Sequence, residues 1–184
     1  MSDLFRKHDI KRNACQLYGA QAGQGYDWWW HSFTAINNET GEERPFYIEY
    51  FLCNPARGAD YPILGQLPEN REKGLLPSYL MVNVGTWGKD PRQLHRFFSW
   101  KETGVDYGVP YRVEAADCFA TETQLRGSVC ITEEEAGNHP EWMCDSGSMQ
   151  WNISVEKKIP FNVGYGAGTL MRKLQLFEMF WHAE

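Results

Sequence analysis

The sequence predicts an all-β protein, folded as an antiparallel barrel or sandwich. Eight or nine short strand-like segments follow one another at hairpin spacing, with turn residues between them. No long amphipathic helix pattern occurs after residue 20. Eight Trp, nine Tyr and ten Phe make up 15% of the 184 residues, and rings in that number must line a packed core or an apolar cavity.

The first half of the chain begins with a polar stretch and continues as a hairpin. Residues 1–25 predict a lead-in segment with one short helix at 3–18, because they are polar and become rich in Gly and Gln. Residues 26–35 carry three Trp, one Tyr and one Phe, which favour a pleated strand. Residues 45–53 predict a second strand, and the Asn- and Gly-containing turn at 37–42 joins the two as an antiparallel hairpin.

A long loop interrupts the strands at residues 54–77, where four Pro and three Gly exclude a ladder or a long helix. A loop of this length either covers a binding site or is a disordered surface excursion. Further strands are predicted at 78–87, 93–100, 111–115, 118–123, 124–131, 148–156 and 174–182. Turns are predicted at 88–91, 103–106 and 133–139.

Residue alternation assigns side chains to the two faces of each strand. Asp27, Trp29, His31 and Phe33 share one face of the first strand, while Trp also occurs on the other, so neither resembles a solvent face. A closed barrel of about eight strands would enclose room for one small ligand. Aromatic walls suit an isoprenoid or polyene, and ring faces would also stabilise a carbocation.

Composition excludes several classes of protein. The formal charge of −6 argues against general nucleic-acid binding, and no run of apolar residues is long enough for a transmembrane helix. Residues 1–9 are too charged for a signal peptide. Five Cys without close pairs exclude a zinc knuckle or redox dithiol and indicate free buried thiols. These features predict a cytoplasmic protein.

Three side chains are candidates for acid–base chemistry. Protonating an alkene requires a carboxylic acid that stays neutral near pH 7, which burial among aromatic rings can achieve. Asp27 in the Trp-rich strand is the first candidate, and Glu49, flanked by Tyr47 and Phe51, is the second. His31 shares the face of Asp27 and could act with it. Alternatively, Asp27 binds turn backbone, Glu49 points outward and His31 is a core residue.

Aromatic residues of three strands are the candidates for substrate binding, although simple packing is an equal reading of the three consecutive Trp. The candidates are Trp28, Trp29, Trp30, Tyr47, Tyr50 and Trp151. Neither a cofactor nor a metal is predicted: the spacing of His31, His182 and Glu184 does not fit a metal site, and the sequence lacks a phosphate-binding loop and HExxH. It also lacks the Gly-x-Ser-x-Gly motif of serine hydrolases. Residues 164–168 are Gly-rich but lack the βαβ context of a dinucleotide site.

Two segments carry a family resemblance. Residues 26–32, Tyr-Asp-Trp-Trp-Trp-His-Ser, resemble the opening strand of the carotenoid 1,2-hydratase and tocopherol cyclase-like group, and residues 143–153 are similar to a later strand entry. The resemblance implies a lipocalin-like β-barrel of calycin type over residues 26–184. It also implies that this barrel is the first of two, with a second β-barrel domain of the same chain as partner and the pocket often between them.

The resemblance further implies proton-triggered hydration, cyclisation or pericyclic ring closure on terpenoid or polyketide double bonds. The expected function is therefore a cofactor-independent cyclase- or hydratase-like enzyme, an isomerase or lyase, that binds a small hydrophobic isoprenoid or polyene. One alternative is a non-catalytic carrier of a lipophilic ligand. Another is a structural half-barrel whose aromatic face contacts the missing domain.

Overall fold

The computed structural model describes residues 14–65, 67–139, 141–143, 145–156, 161–162 and 182–183. Over these residues the chain folds mainly into β-strands, which form two larger antiparallel sheets and a two-stranded pair. The all-β prediction is therefore confirmed. No helix of the described residues has the length and apolar content needed to cross a membrane.

The first sheet has four strands in sequence order: β1 (Tyr26–Ile36), β2 (Glu43–Cys53), β3 (Tyr79–Thr86) and β4 (Arg92–Phe98). The predicted β1–β2 hairpin is confirmed, with Tyr26 opposite Cys53 and Ile36 opposite Glu43. Asn37 starts the turn of this hairpin. Its side-chain oxygen accepts hydrogen bonds from the backbone N–H groups of Glu39 and Thr40, at 2.8 and 3.1 Å.

The second sheet has five strands, again in sequence order: β5 (Thr103–Asp106), β6 (Arg112–Ala115), β7 (Cys118–Thr121), β8 (Gln124–Ile131) and β9 (Gly147–Ser154). The prediction of a turn at 103–106 is wrong, since β5 pairs with β6 along its length. The turn lies just before it, where the Glu102 carboxylate accepts hydrogen bonds from the backbone N–H and hydroxyl of Ser99. Two-residue strands β10 (Phe161–Asn162) and β11 (His182–Ala183) pair with each other.

Short helices occupy parts of the connections. Helix α1 (Pro68–Glu72) lies in the Pro-rich loop, and 3-10 turns occur at Gly19–Gly23, Pro55–Arg57 and Glu141–Met143. Helix α2 (Glu133–Gly137) replaces the turn predicted there. It forms because Thr132 and Glu135 make a capping box that satisfies two backbone N–H groups at the helix start.

Two predicted elements are only partly covered by the described residues. Of the predicted helix at 3–18, residues 14–18 are not helical, and the remainder lies outside the described part. Cys15 and Leu17 instead pack into the core, so the described end of the lead-in segment is part of the domain. The strand predicted at 174–182 lies outside the described residues apart from His182.

The core lies between the two large sheets and is filled by their facing side chains. Trp29 of β1 stacks on Tyr111, with ring centroids 4.9 Å apart, and Tyr50, Val82 and Val113 are fully buried. Arg96 of β4 joins the sheets by donating hydrogen bonds across the gap.

The predicted barrel is not closed by the described strands. The strand order shows two open sheets, in which β1 pairs with β2 and β9 pairs with β8, and no pairing joins the outer edges. The inner faces of the two sheets pack against each other through large side chains, as Trp29 and Tyr111 do, which is the packing of a two-layer sandwich. The described architecture is an open up-and-down meander folded into two layers.

The cysteines among the described residues are free thiols, as predicted. Cys15 and Cys118 are buried and Cys53 is partly buried, but Cys130 is exposed. Cys130 departs from the prediction because alternation along β8 places it on the outer face, opposite to the buried Val129.

Candidate functional site

The outer faces of the two large sheets differ in chemistry. Along β9 the outward residues are polar and exposed, as alternation predicts for a strand covered on one side only: Ser148, Gln150, Asn152 and Ser154. The outer face of the β1–β4 sheet instead carries aromatic residues, most of them partly or fully buried and two of them, Tyr26 and Trp87, exposed; we call it the aromatic face. A face of this composition is a candidate ligand site, because a solvated sheet face has no need of it.

The rings of the aromatic face form two clusters. In the first, Trp30 stacks on Tyr47 with centroids 4.7 Å apart, and Trp87 lies 5.2 Å from Tyr47. The second cluster extends across all four strands, with neighbouring ring centroids 5.2–6.4 Å apart. Its members are Tyr26, Trp28, Phe51, Tyr79 and Phe97.

A row of three polar side chains crosses the aromatic face between the clusters. Glu49 of β2 pairs with Asn83 of β3, which pairs with His95 of β4. Asn83 and His95 are each only 5% exposed. Because side chains alternate, Tyr47 lies on one side of Glu49 and Phe51 on the other, on the same face. We call Glu49, Asn83 and His95 the polar row.

Hydrogen bonds orient the first two members of the polar row. Asn83 Nδ2 donates to Glu49 Oε2 at 3.0 Å, and the Tyr47 hydroxyl donates to Asn83 Oδ1 at 3.4 Å. Burial raises the pKa of the Glu49 carboxyl, and the Asn83 hydrogen bond opposes part of that rise. Glu49 therefore holds its proton to higher pH than an exposed glutamate does.

The pKa of His95 is shifted in the direction that favours the uncharged imidazole. Burial, and next the neighbouring imidazole of His139, lower the pKa of His95 to about 4, while Asp145 acts in the opposite direction. His139 lies near Phe97 with ring centroids 6.4 Å apart, and Asp145 accepts a hydrogen bond from the backbone of Gln93 at 2.8 Å. The segment between β8 and β9 thus brings both titratable groups to β4. At neutral pH His95 is an uncharged imidazole with one basic nitrogen.

The predicted substrate-binding residues divide between the aromatic face and the core between the two sheets. Three lie on the aromatic face: Trp28, Trp30 and Tyr47. The other three lie in the core between the sheets: Trp29, Tyr50 and Trp151. The Tyr50 hydroxyl donates to backbone carbonyls of β7 and β8, at 2.9 and 3.2 Å.

The predicted acid–base residues also separate. Glu49 lies in the polar row, whereas Asp27 and His31 lie on the opposite side of the sheet with Trp29. The Asp27 carboxylate accepts hydrogen bonds from the backbone N–H of Gln16 at 2.7 Å and of Trp28 at 2.9 Å. His31 Nε2 lies 3.3 Å from the Tyr111 hydroxyl. These contacts fit the alternative roles of the two residues, in which Asp27 binds backbone and His31 is a core residue.

Sequence reasoning did not select Asn83 or His95. Asn83 interrupts the apolar run Leu-Met-Val-Asn-Val, whereas His95 lies in a mixed segment, Gln-Leu-His-Arg-Phe. Aligning the strands as consecutive antiparallel neighbours would have placed Asn83 beside Glu49 and His95 beside Asn83, since these are the cross-strand pairs of the register.

Two further features complete the description of possible sites. Among the described residues, no group of three or more His, Cys, Asp or Glu side chains is arranged to hold a metal ion. An open depression of about 450 Å³ lies at residues 106–112 and Thr121, away from the polar row.

Comparisons with protein-family models, with curated proteins and with solved structures found no match to this chain.

Proposed function

We propose that the aromatic face binds a hydrophobic unsaturated molecule, of isoprenoid or polyene type, and that Glu49 protonates one of its double bonds. One observation carries the proposal: a partly buried carboxyl, whose pKa is raised by burial, lies beside aromatic rings on an outward sheet face and is oriented by Asn83. A surface made only for packing gains nothing from a buried carboxyl, which costs free energy when it ionises.

The arrangement is suited to cation chemistry. A double bond held against Trp30 and Phe51 would lie near Glu49, because Trp30 is its cross-strand partner and Phe51 follows it on the same face. Transfer of the Glu49 proton to carbon leaves a carbocation and a carboxylate. The faces of the neighbouring rings stabilise the cation through their quadrupoles. This reaction requires no cofactor.

We further propose kinship with the carotenoid 1,2-hydratase and tocopherol cyclase-like group. The Trp-rich opening strand and the consecutive up-and-down order of strands support it. In a member of that group, a second lipocalin-like β-barrel domain of the same chain would lie against the aromatic face and enclose the substrate. Asp27 remains the rival proton donor under this reading, and the two carboxyl groups can be compared directly.

The experiment compares Glu49→Gln with Asp27→Asn on a prenylated hydroquinone and an acyclic polyene, in D₂O. The wild-type protein is expected to place one deuterium on a substrate carbon. Glu49→Gln should slow this incorporation by roughly 100- to 10,000-fold, the usual contribution of a general acid, and keep ligand affinity within a few-fold. Asp27→Asn is the matched control and should keep the wild-type rate. The reverse result would assign the proton to Asp27.

The second candidate is a non-catalytic carrier. It is favoured by the two ring clusters, which could bind a lipophilic ligand without any reaction. Binding of both probes without deuterium incorporation would establish the carrier. Absence of binding would instead leave the aromatic face as a contact surface for another domain.

A further inference from the structure

The proposed reaction leaves a cation that must be discharged, and the polar row contains a group suited to do so. Resting on the proposed function, we infer that His95 is the base that removes a proton from the substrate cation. The protein is then an isomerase acting on a linear polyunsaturated chain, by ring closure or double-bond migration, and not a hydratase.

The spacing of the polar row supports this assignment. Glu49 and His95 lie on β2 and β4, with β3 between them, and they share one register line on the aromatic face. Two interstrand spacings separate their backbones by about 10 Å. An extended chain lying across the strands can contact Glu49 at one carbon and His95 at another.

The surroundings of His95 favour proton removal over proton donation. The groups facing it are His139 and Asp145 from the segment after β8, and Asn83 and Glu49 along the row. His139 disfavours a charged imidazole, and Asp145 favours one to a smaller extent. Neutral His95 therefore accepts a proton transiently and releases it readily. Phe97, two residues on, presents a ring 6.4 Å from the imidazole and extends the apolar surface to this end of the row.

The step balances without a co-reactant. The Glu49 O–H bond breaks and a C–H bond forms at one alkene carbon, which leaves a cation. An internal double bond can attack this cation and close a ring, or the cation can remain in the chain. A C–H bond next to the cation then breaks, its electrons form a new C=C bond, and the proton goes to His95. Proton exchange with water returns His95 to its neutral form and Glu49 to its acid form.

The test is the mass of the product made by the full chain from an acyclic polyene, in H₂O and in D₂O. We expect an isomer of the substrate in H₂O, and in D₂O the same isomer with one hydrogen replaced by deuterium. His95→Gln should lower isomer formation by about 100-fold or more, and water should capture part of the cation. His95→Asn is a second variant with a smaller side chain. Asn152→Leu, on the exposed outer face of β9, is the control and should keep the wild-type product ratio.

Different outcomes overturn different claims. A wild-type product heavier than the substrate by one water would overturn the assignment of His95 and leave the role of Glu49 intact. Unchanged isomer formation in folded His95→Gln and His95→Asn would also overturn it. No conversion by the wild-type protein would contradict the proposed function and this inference together.

Discussion

Asn83 Nδ2 donates a hydrogen bond to Glu49 Oε2 at 3.0 Å across the β2–β3 ladder, where Asn83 is buried and Glu49 partly buried. The bond stabilises the ionised carboxylate, whereas burial favours the protonated acid. The two effects oppose each other, and burial is the larger. Asn83 therefore limits how far the pKa of Glu49 rises.

Replacing Asn83 should raise the pKa of Glu49 further. Asn83→Leu removes the donor, and Asn83→Asp adds a second acidic group beside the carboxyl, so both changes disfavour the ionised form. Carbon-detected NMR titration of the Glu49 carboxyl would measure the shift. Asn152→Leu, on the exposed face of β9, is the control and should leave it unchanged. A lower pKa in Asn83→Leu would show that the bond does not act on the carboxylate.

His95 should make the protein less stable on acidification. Its pKa is lowered from 6.5 to about 4, so between these pH values the unfolded chain binds more protons at this residue than the folded one. The stability due to neutral His95 is present above pH 6.5 and is lost as the pH falls towards 4, by about 3 kcal/mol. Urea unfolding of wild type and His95→Gln across this range would test it. Parallel pH profiles would contradict it.

Tyr50 and Tyr47 should respond differently to loss of the hydroxyl. Tyr50→Phe leaves two core carbonyl groups without this donor and should lower the free energy of unfolding by about 1–3 kcal/mol, with ligand affinity unchanged. Tyr47→Phe should cost less stability but weaken the orientation of Asn83. Chemical denaturation with fluorescence titration of the same polyene measures both effects. A loss of affinity confined to Tyr50→Phe would place the ligand in the core.

Gly85 should not tolerate a side chain. It is the cross-strand partner of Tyr47, and an added Cβ would lie 2.6 Å from the Tyr47 hydroxyl oxygen and against the Arg92 carbonyl. Gly85→Ala should therefore displace the Tyr47 ring and destabilise the protein by about 1–3 kcal/mol. Gly137→Ala in α2, where an added Cβ meets open space and the backbone φ is ordinary, is the control and should keep wild-type stability. Wild-type thermal stability in Gly85→Ala would refute this packing.

Local patterns in the sequence predicted the strands well. Aromatic and β-branched residues around Trp28, and the Asn-rich turn after Ile36, define the first hairpin without help from distant contacts. Strand β5 and helix α2 were both predicted as turns. Gly104 and Asp106 belong to a turn by composition, yet pairing with β6 makes them a strand. The capping box at Thr132 and Glu135 was present in the sequence and converts the predicted turn to a helix.

The position of the site could not be read from one strand at a time. Alternation correctly separated Asp27 and Trp29 from Trp28 and Trp30, but it does not tell which face meets the second sheet. The Trp29–Tyr111 stack decides this, and it joins residues far apart in sequence. Closure into a barrel is likewise a property of both sheets together, set by how bulky their inner faces are.

The most direct measurement follows the indole N–H signals of the tryptophans by NMR while the polyene is added. The account predicts that Trp28, Trp30 and Trp87, on the aromatic face, shift on binding, and that Trp29 and Trp151, in the core, do not. Shifts confined to Trp29 and Trp151 would place the ligand between the sheets and contradict the account.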